Sequence, residues 1–358
     1  MFCQSSTLTR SGQHLYLIGG VSHAIVQQVC YLTPKENEYN WGVLTQNESI
    51  LQRYGHTCNL YDGNLIIFGG QRGASNKKTR RIVLNDLWVY NPEKRQLDQI
   101  LAKRCPDLRY GHCAWVAGDF LILYGGMNEM GEVLKDVCIM NLYQKKWLKV
   151  TITESLNKSS TPPGMWFSGM VSLFYKGRKK NGERDFFGKY NQNQNIDPFL
   201  PKHIRENEKD QDLVMEGCYM FGGLTDDNDI VNDLYILKIE NSGLTFAWEK
   251  VNDYNGKPPC ERCHHFMQYW EYNNSIIIHG GRNDNNSSDS VLNDLFFLQV
   301  DTLTWIEVNF NNPAKTSTPR FSHAWAIFDS RILIFGGVGK TFEMEKSLEI
   351  IELNPDKF

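Results

Sequence analysis

LIIFGG at 65–70 decides the fold of this chain: four apolar residues run into a glycine pair. The same phrase returns as LYLIGG (15–20), LILYGG (121–126), CYMFGG (218–223), IIIHGG (276–281) and LIFGG (333–337). The glycine pairs are Gly19-Gly20, Gly69-Gly70, Gly125-Gly126, Gly222-Gly223, Gly280-Gly281 and Gly336-Gly337, separated by steps of 50, 56, 97, 58 and 56 residues. A self-similar period of about 50 residues marks a propeller or a solenoid. The long step carries a polar insertion at 176–212, with no apolar run and no further glycine pair. Removing about forty residues restores a single repeat.

Each unit reads as four short strands, because apolar or alternating runs of four to eight residues are bounded by Gly, Asn, Asp and Pro. In the second unit these are GHTCNLYD (55–62), NLIIFGG (64–70), DLWVYN (86–91) and QLDQIL (96–101). The second strand is apolar on both faces, as a strand between neighbouring sheets requires. Glycine at its end accepts positive φ and lets another backbone approach. Asn85-Asp86, Lys135-Asp136, Asn232-Asp233 and Asn293-Asp294 open the third strand, where Asx side chains are expected to bond nearby backbone amides. Trp147, Trp248 and Trp305, and less regularly Trp41, anchor the fourth.

The glycine pair, an apolar third-strand position and a Trp seven residues on (Met140 to Trp147, Leu298 to Trp305) together resemble the kelch repeat. The resemblance covers nearly the whole chain. It is similar to the subgroup whose first strand opens on Arg-aromatic-Gly-His: RYGH at 53–56 and 109–112, RCHH at 262–265 and RFSH at 320–323. The resemblance implies an all-β, six-bladed propeller. One domain is expected over 1–358, with blades near 1–50, 51–104, 105–160, 161–256, 257–314 and 315–358. The last blade is expected to lack an outer strand, since Asn354-Pro355 matches Asn91-Pro92 just before a fourth strand would begin, and residues 1–8 match only a first strand; either the ring closes on a three-stranded blade or the chain is a fragment of a longer protein. SLEIIEL (347–353) then offers a free edge to a partner strand.

Composition narrows the function classes. A net charge of −3 gives no global attraction to nucleic acid or anionic membrane. The opening MFCQSSTLTR lacks the apolar core of a secretory signal, and no apolar stretch has spanning length. Nine cysteines, mostly single within strands, are expected to be reduced, which points to the cytoplasm or the nucleus.

A protein partner is expected, and no cofactor or metal. In the resembling propellers the motif arginines lie beside the loops that follow the glycine pairs. Arg53, Arg109, Arg262 and Arg320, with Tyr54, Tyr110 and Phe321, are the expected partner-binding set, suited to acidic side chains or a carboxylate terminus. The alternative is that these arginines bond backbone at blade junctions. In unit four, Trp166-Phe167-Ser168-Gly169 reads as the counterpart of RYGH and breaks the arginine series. His56, His112, His265, His323 and His279 read as structural. Cys260 to His264 fits the C-x-x-C-H haem pattern, but repeat register already explains it, and one C-x-x-C lacks a second zinc ligand pair. The loops after the glycines differ: 71–84 is basic, 224–231 acidic and 282–292 polar. An interaction module, an adaptor or scaffold, is the leading expectation; a metal-dependent enzyme, as some kelch-like propellers are, and a structural subunit completed by a partner strand are the alternatives.

Overall fold

Successive antiparallel sheets are arranged as blades in the computed structural model of the chain. It describes all residues except 1–8, 12–13, 21–28, 35–37, 46–50, 74–80, 154–160, 177–212, 241–243, 271–272, 285–289, 310–315, 329 and 354–358. The polar insertion therefore lies outside the described residues, apart from Lys176.

Blade one comprises Thr9–Ser11, His14–Ile18, Val29–Pro34 and Tyr39–Thr45. Thr57–Tyr61, Asn64–Phe68, Leu87–Asn91 and Gln96–Ile100 form blade two, and Cys113–Ala117, Phe120–Tyr124, Val137–Asn141 and Lys146–Leu148 form blade three. Blade four takes Gly169–Lys176, Leu213–Thr225, Ile230–Glu240 and Thr245–Val251, and blade five Phe266–Trp270, Ser275–Arg282, Val291–Gln299 and Thr304–Glu307. Blade six has three strands among the described residues: Ala324–Phe328, Arg331–Phe335 and Leu348–Glu352. The fold is the six-bladed propeller that the repeats imply.

The repeat spacing is explained by two contacts. Met140 and Leu298 lie directly across the ladder from Trp147 and Trp305, so the seven-residue step is the width of one hairpin. Each outer-strand Trp then packs on the aromatic just before the glycine pair of the preceding blade: Trp147 on Phe68 (5.4 Å between ring centroids), Trp248 on Tyr124 (5.0 Å) and Trp305 on Phe221 (5.4 Å). Trp41 follows the same rule across the ring closure, 4.7 Å from Phe335. Ring closure is reinforced by Leu15, Leu17 and Leu32 packed with Ala324, Ala326 and Leu333.

The glycine pair serves blade-to-blade approach. At Gly70, φ is 88°, and a Cβ there would lie 2.7 Å from the His56 Cβ and 2.9 Å from the Tyr54 carbonyl oxygen. Its N–H reaches into the next blade, donating to the Arg109 carbonyl at 2.8 Å. Gly70→Ala is expected to cost about 2–4 kcal/mol, strain and overpacking together, read as a lower denaturant midpoint at unchanged slope.

Candidate functional site at the loop rim

Third-strand acids and motif arginines form one device. Arg53 donates from Nη1 to the Gly69 carbonyl (2.9 Å) and, through both terminal nitrogens, to Asp86 at 2.7 and 2.9 Å. Arg109 does the same with Gly125 and Asp136, and Arg262 with Gly280 and Asp294. In blade six Arg320 holds Gly336, while Ser347 and Glu349 replace the aspartate. All four arginines are 0% exposed. This corrects the expectation that Arg53, Arg109, Arg262 and Arg320 meet a partner: a guanidinium with no accessible surface has none to offer, and these tie each glycine turn to the third strand of its own blade. Burial pushes the Asp86 and Asp136 carboxyls up, but the arginine bonds outweigh it and leave both below their ordinary value.

Asp136 bonds its own backbone amide, as expected, but the Asx side chains serve mainly other partners. Carboxylates accept only, and Asp86 accepts from Arg53 and from the Trp88 indole (2.7 Å). The neighbouring asparagines donate across the junction, Asn85 to Pro106, Asn232 to Pro259 and Asn293 to Ser317, each three residues before the next motif arginine or directly at its approach.

Blade four corrects the reading of its motif by one residue. Gly126 donates to the Met165 carbonyl as Gly70 does to Arg109, and Met165–Trp166 pairs with Leu224 and Thr225. Met165 therefore stands at the arginine position, Trp166 at the tyrosine, Phe167 at the glycine and Ser168 at the histidine. Asp233, left without an arginine, pairs with Lys250 at 2.8 Å.

At the axis, the third motif residues form a hydrogen-bonded necklace. Gly111 donates to Gly55, Phe167 to Gly111, His264 to Phe167 and Ser322 to His264. All five have positive φ, including 52° at Phe167, a conformation that costs a bulky residue. The Phe167 ring stacks on His264 at 3.7 Å between centroids, and a Cβ on Gly111 would lie 3.0 Å from its Cζ.

The loops around this mouth carry the accessible chemistry that sequence reading missed. The guanidinium carbon of Arg282 lies 5.6 Å from the Phe321 ring centroid and 5.7 Å from that of Phe342, and its Nε donates to Asp284 at 2.5 Å. Phe342 is 57% exposed and holds φ of 58° at a loop tip, where the comparable tips carry Gly131 and Asn228. Across the mouth, burial raises the Tyr54 and Tyr110 phenols, against the opposing charge of nearby Arg81. Of the expected aromatics, Tyr54 is half-buried, whereas Tyr110 and Phe321 are buried and form the floor. The signal for Arg282 was its place directly after Gly280-Gly281.

His112 bonds Thr57 at 2.9 Å, and His279 bonds His323 (3.1 Å) and Ser317 (2.6 Å) in a fully buried group. His265 departs from this and has no side-chain partner of that kind, because Gly169 stands where Thr57 serves His112. Cys260 is exposed and Cys263 buried, its thiol pushed up to about 12 by burial. Among the described residues, no three His, Cys, Asp or Glu side chains lie close enough to hold a metal, and no helix is long and apolar enough to cross a membrane.

Comparison with known proteins matches residues 2–174 and 212–356 to a family described as the KLHDC2/KLHL20/DRC7 Kelch-repeats domain. Host cell factor 1 of Homo sapiens is 26% identical over 299 residues, covering 80% of this chain but 12% of that protein. An F-box/kelch-repeat protein of Arabidopsis thaliana is 24% identical over 300 residues, 80% of this chain and 52% of its own length. The chain thus spans only part of the curated relatives it matches. The solved structure of YjhT superimposes with a TM-score of 0.64 at 15% identity, over 99% of this chain and 98% of that one, which shows the fold.

Proposed function

Since the chain belongs to the kelch-repeat family, we propose that it is a non-enzymatic protein-binding module, an adaptor or scaffold that docks a protein on the loop rim around the axial turns. The observation that carries this reading is Arg282, an accessible cation framed by Phe321 and Phe342 on the rim that also holds Tyr54 and Arg81. Arginine on an aromatic face is a recurrent hot-spot arrangement and suits a partner presenting acidic groups. Strained backbone at an exposed phenylalanine supports a functional reading over a packing one. The described cysteines are free thiols, which supports the cytoplasm or the nucleus.

The test pairs crosslinked affinity capture from native cells with a variant carrying Arg282→Glu and Phe342→Ser, its fold checked by circular dichroism. A partner held by the intact chain should bind the variant at least about tenfold more weakly in a purified titration, hot-spot side chains contributing about 2 kcal/mol or more. Equal capture by both folded proteins sinks the assignment. A second reading, a structural subunit completed by a partner strand, starts from the three strands that the described residues give the sixth sheet.

A further inference from the structure

Blade six departs from the arginine device at one position. Phe68 pairs with Leu87, Tyr124 with Val137, His279 with Leu295 and Phe335 with Leu348. The residues just before these partners are therefore equivalent: Asp86, Asp136, Asp294 and Ser347. Three blades set a carboxylate there, bonded to both terminal nitrogens of the motif arginine. Blade six sets a hydroxyl, 3.3 Å from Nη2 of Arg320.

The negative charge comes instead from Glu349, two residues on. Its Oε1 accepts from Arg320 Nη2 and, at 3.3 Å, from the Ser347 hydroxyl. The same carboxylate accepts from Thr318, from the hydroxyl at 2.5 Å and the backbone N–H at 2.9 Å. One carboxylate thus answers four donors, and it meets Arg320 at Nη2, where each aspartate engages both Nη1 and Nη2. Electrostatics register the difference. Burial works against the charge of Arg109 and Arg262, but their aspartates overcome it and leave both above the ordinary value. At Arg320 burial prevails over Glu349 and Glu345, and the value is lowered. Ser347 itself is exposed, so its hydroxyl is accessible as well as close to a buried guanidinium.

From this substitution we infer that Ser347 is a phosphorylation site, whose phosphate takes the place that Asp86, Asp136 and Asp294 hold in their own blades. The Ser347 oxygen attacks the γ-phosphorus of a nucleoside triphosphate held by a protein kinase. The new O–P bond replaces the bond to the β-phosphate oxygen, the nucleoside diphosphate leaves, and the hydroxyl proton passes to the kinase's base. Glu343, Glu345 and Glu349 flank the acceptor, which suits an acid-directed serine kinase. The phosphorus stands one bond further from Cβ than an aspartate carboxyl carbon, and its oxygens can engage both terminal nitrogens of Arg320 as charge-assisted bonds. Glu349 leaves Arg320 but keeps both bonds from Thr318, so its carboxylate is not abandoned. Lys346 sits beside the new charge as Lys135 sits beside Asp136. Arg320 also holds the Gly336 carbonyl at 2.9 Å. A phosphate at 347 therefore fastens the end of the loop that carries Phe342 to its beginning.

The test uses the whole chain in two arms. Incubated with an acid-directed serine kinase and ATP, the folded chain should take phosphate at Ser347, read by peptide mass spectrometry with Ser347→Ala as the control. In the second arm phosphoserine is installed at 347 during synthesis, with Glu349 intact and with Glu349→Gln, and hydrogen exchange of the 338–352 amides is followed. Glu349→Gln alone should speed exchange there, because Arg320 loses its anion. Phosphoserine should slow it again by roughly tenfold in that background, and Ser347→Asp should restore part of the protection. With Glu349 intact the slowing should be smaller, since Arg320 is already answered. A folded chain that stays unmodified at Ser347 overturns the assignment. So does phosphoserine that speeds exchange with Glu349 intact or fails to rescue Glu349→Gln, because Arg320 then accepts no anion at the aspartate position.

Discussion

Arg262→Met should lower the stability of the folded chain by about 3–5 kcal/mol, and pairing it with Asp294→Leu should recover much of that loss. The reason lies in what each substitution leaves behind. Arg262 has no exposed surface and donates to Asp294 through both terminal nitrogens at 2.7 Å, to the Gly280 carbonyl at 3.0 Å and, from Nε, to the Cys260 carbonyl at 3.0 Å. Methionine fills the volume but abandons a carboxylate that is only 25% exposed, together with the carbonyl oxygens. Removing both charges leaves neutral neighbours, so the double variant loses only the carbonyl bonds, at about 1 kcal/mol each. The natural control is blade four, where Met165 stands at the arginine position and Asp233 has found Lys250 instead. Denaturant midpoints of the two single variants and the double variant check this directly. A nearly silent Arg262→Met would mean that the arginine is a surface group, and the partner-contact reading of the motif would return.

Strand order and outer-strand tryptophans were legible in the sequence because both repeat locally, within one hairpin. What the sequence did not disclose were contacts that cross between blades or exchange roles over long spans. The motif arginines are an example: their aspartates lie from 27 to 33 residues downstream, and only the recurrence of both together hinted at a pair. Phe167 misled for a different reason. The axial turn demands positive φ, which Gly55 and Gly111 signal plainly, but unit four meets it with an aromatic residue and places its glycine two positions later, so matching glycine to glycine or aromatic to aromatic shifts the register. The packing of Trp325 on His279, which stands where other repeats carry Phe or Tyr, is visible only once both blades are built. Arg282 was overlooked because the loops were read for length and charge; its value comes from Phe321 and Phe342, residues of another blade.

Acidification from pH 7 to pH 5 should destabilise the propeller by on the order of several kcal/mol, well before its carboxylates titrate, through its buried histidines. His56, His112, His279 and His323 are 1%, 5%, 0% and 6% exposed. Burial is the main cause of their lowered pKa values, and the guanidinium charges of Arg53 at His56, Arg109 at His112, and Arg320 at His279 and His323 push the same way; Asp86 and Asp136 oppose only in part. His56 and His279 are lowered to about 3, and the other two lie well below the ordinary value. In the unfolded chain each titrates near 6.5, so below that pH the unfolded state binds protons that the native state refuses. The stability they contribute is therefore full above about pH 6.5 and is lost as pH falls toward their folded values, at about 2 kcal/mol per group by pH 5. Asp86 and Asp136, whose carboxyls are lowered by their arginines, add a separate loss only below about pH 4. Urea unfolding at half-unit steps from pH 7.5 to 4.5 reads the effect as a midpoint that falls steeply below neutrality, with a slope of several protons, since His264 and His265 are lowered by burial as well. A midpoint that stays level from pH 7 to pH 5 would show that these imidazoles accept protons in place, through water that reaches the axial turns.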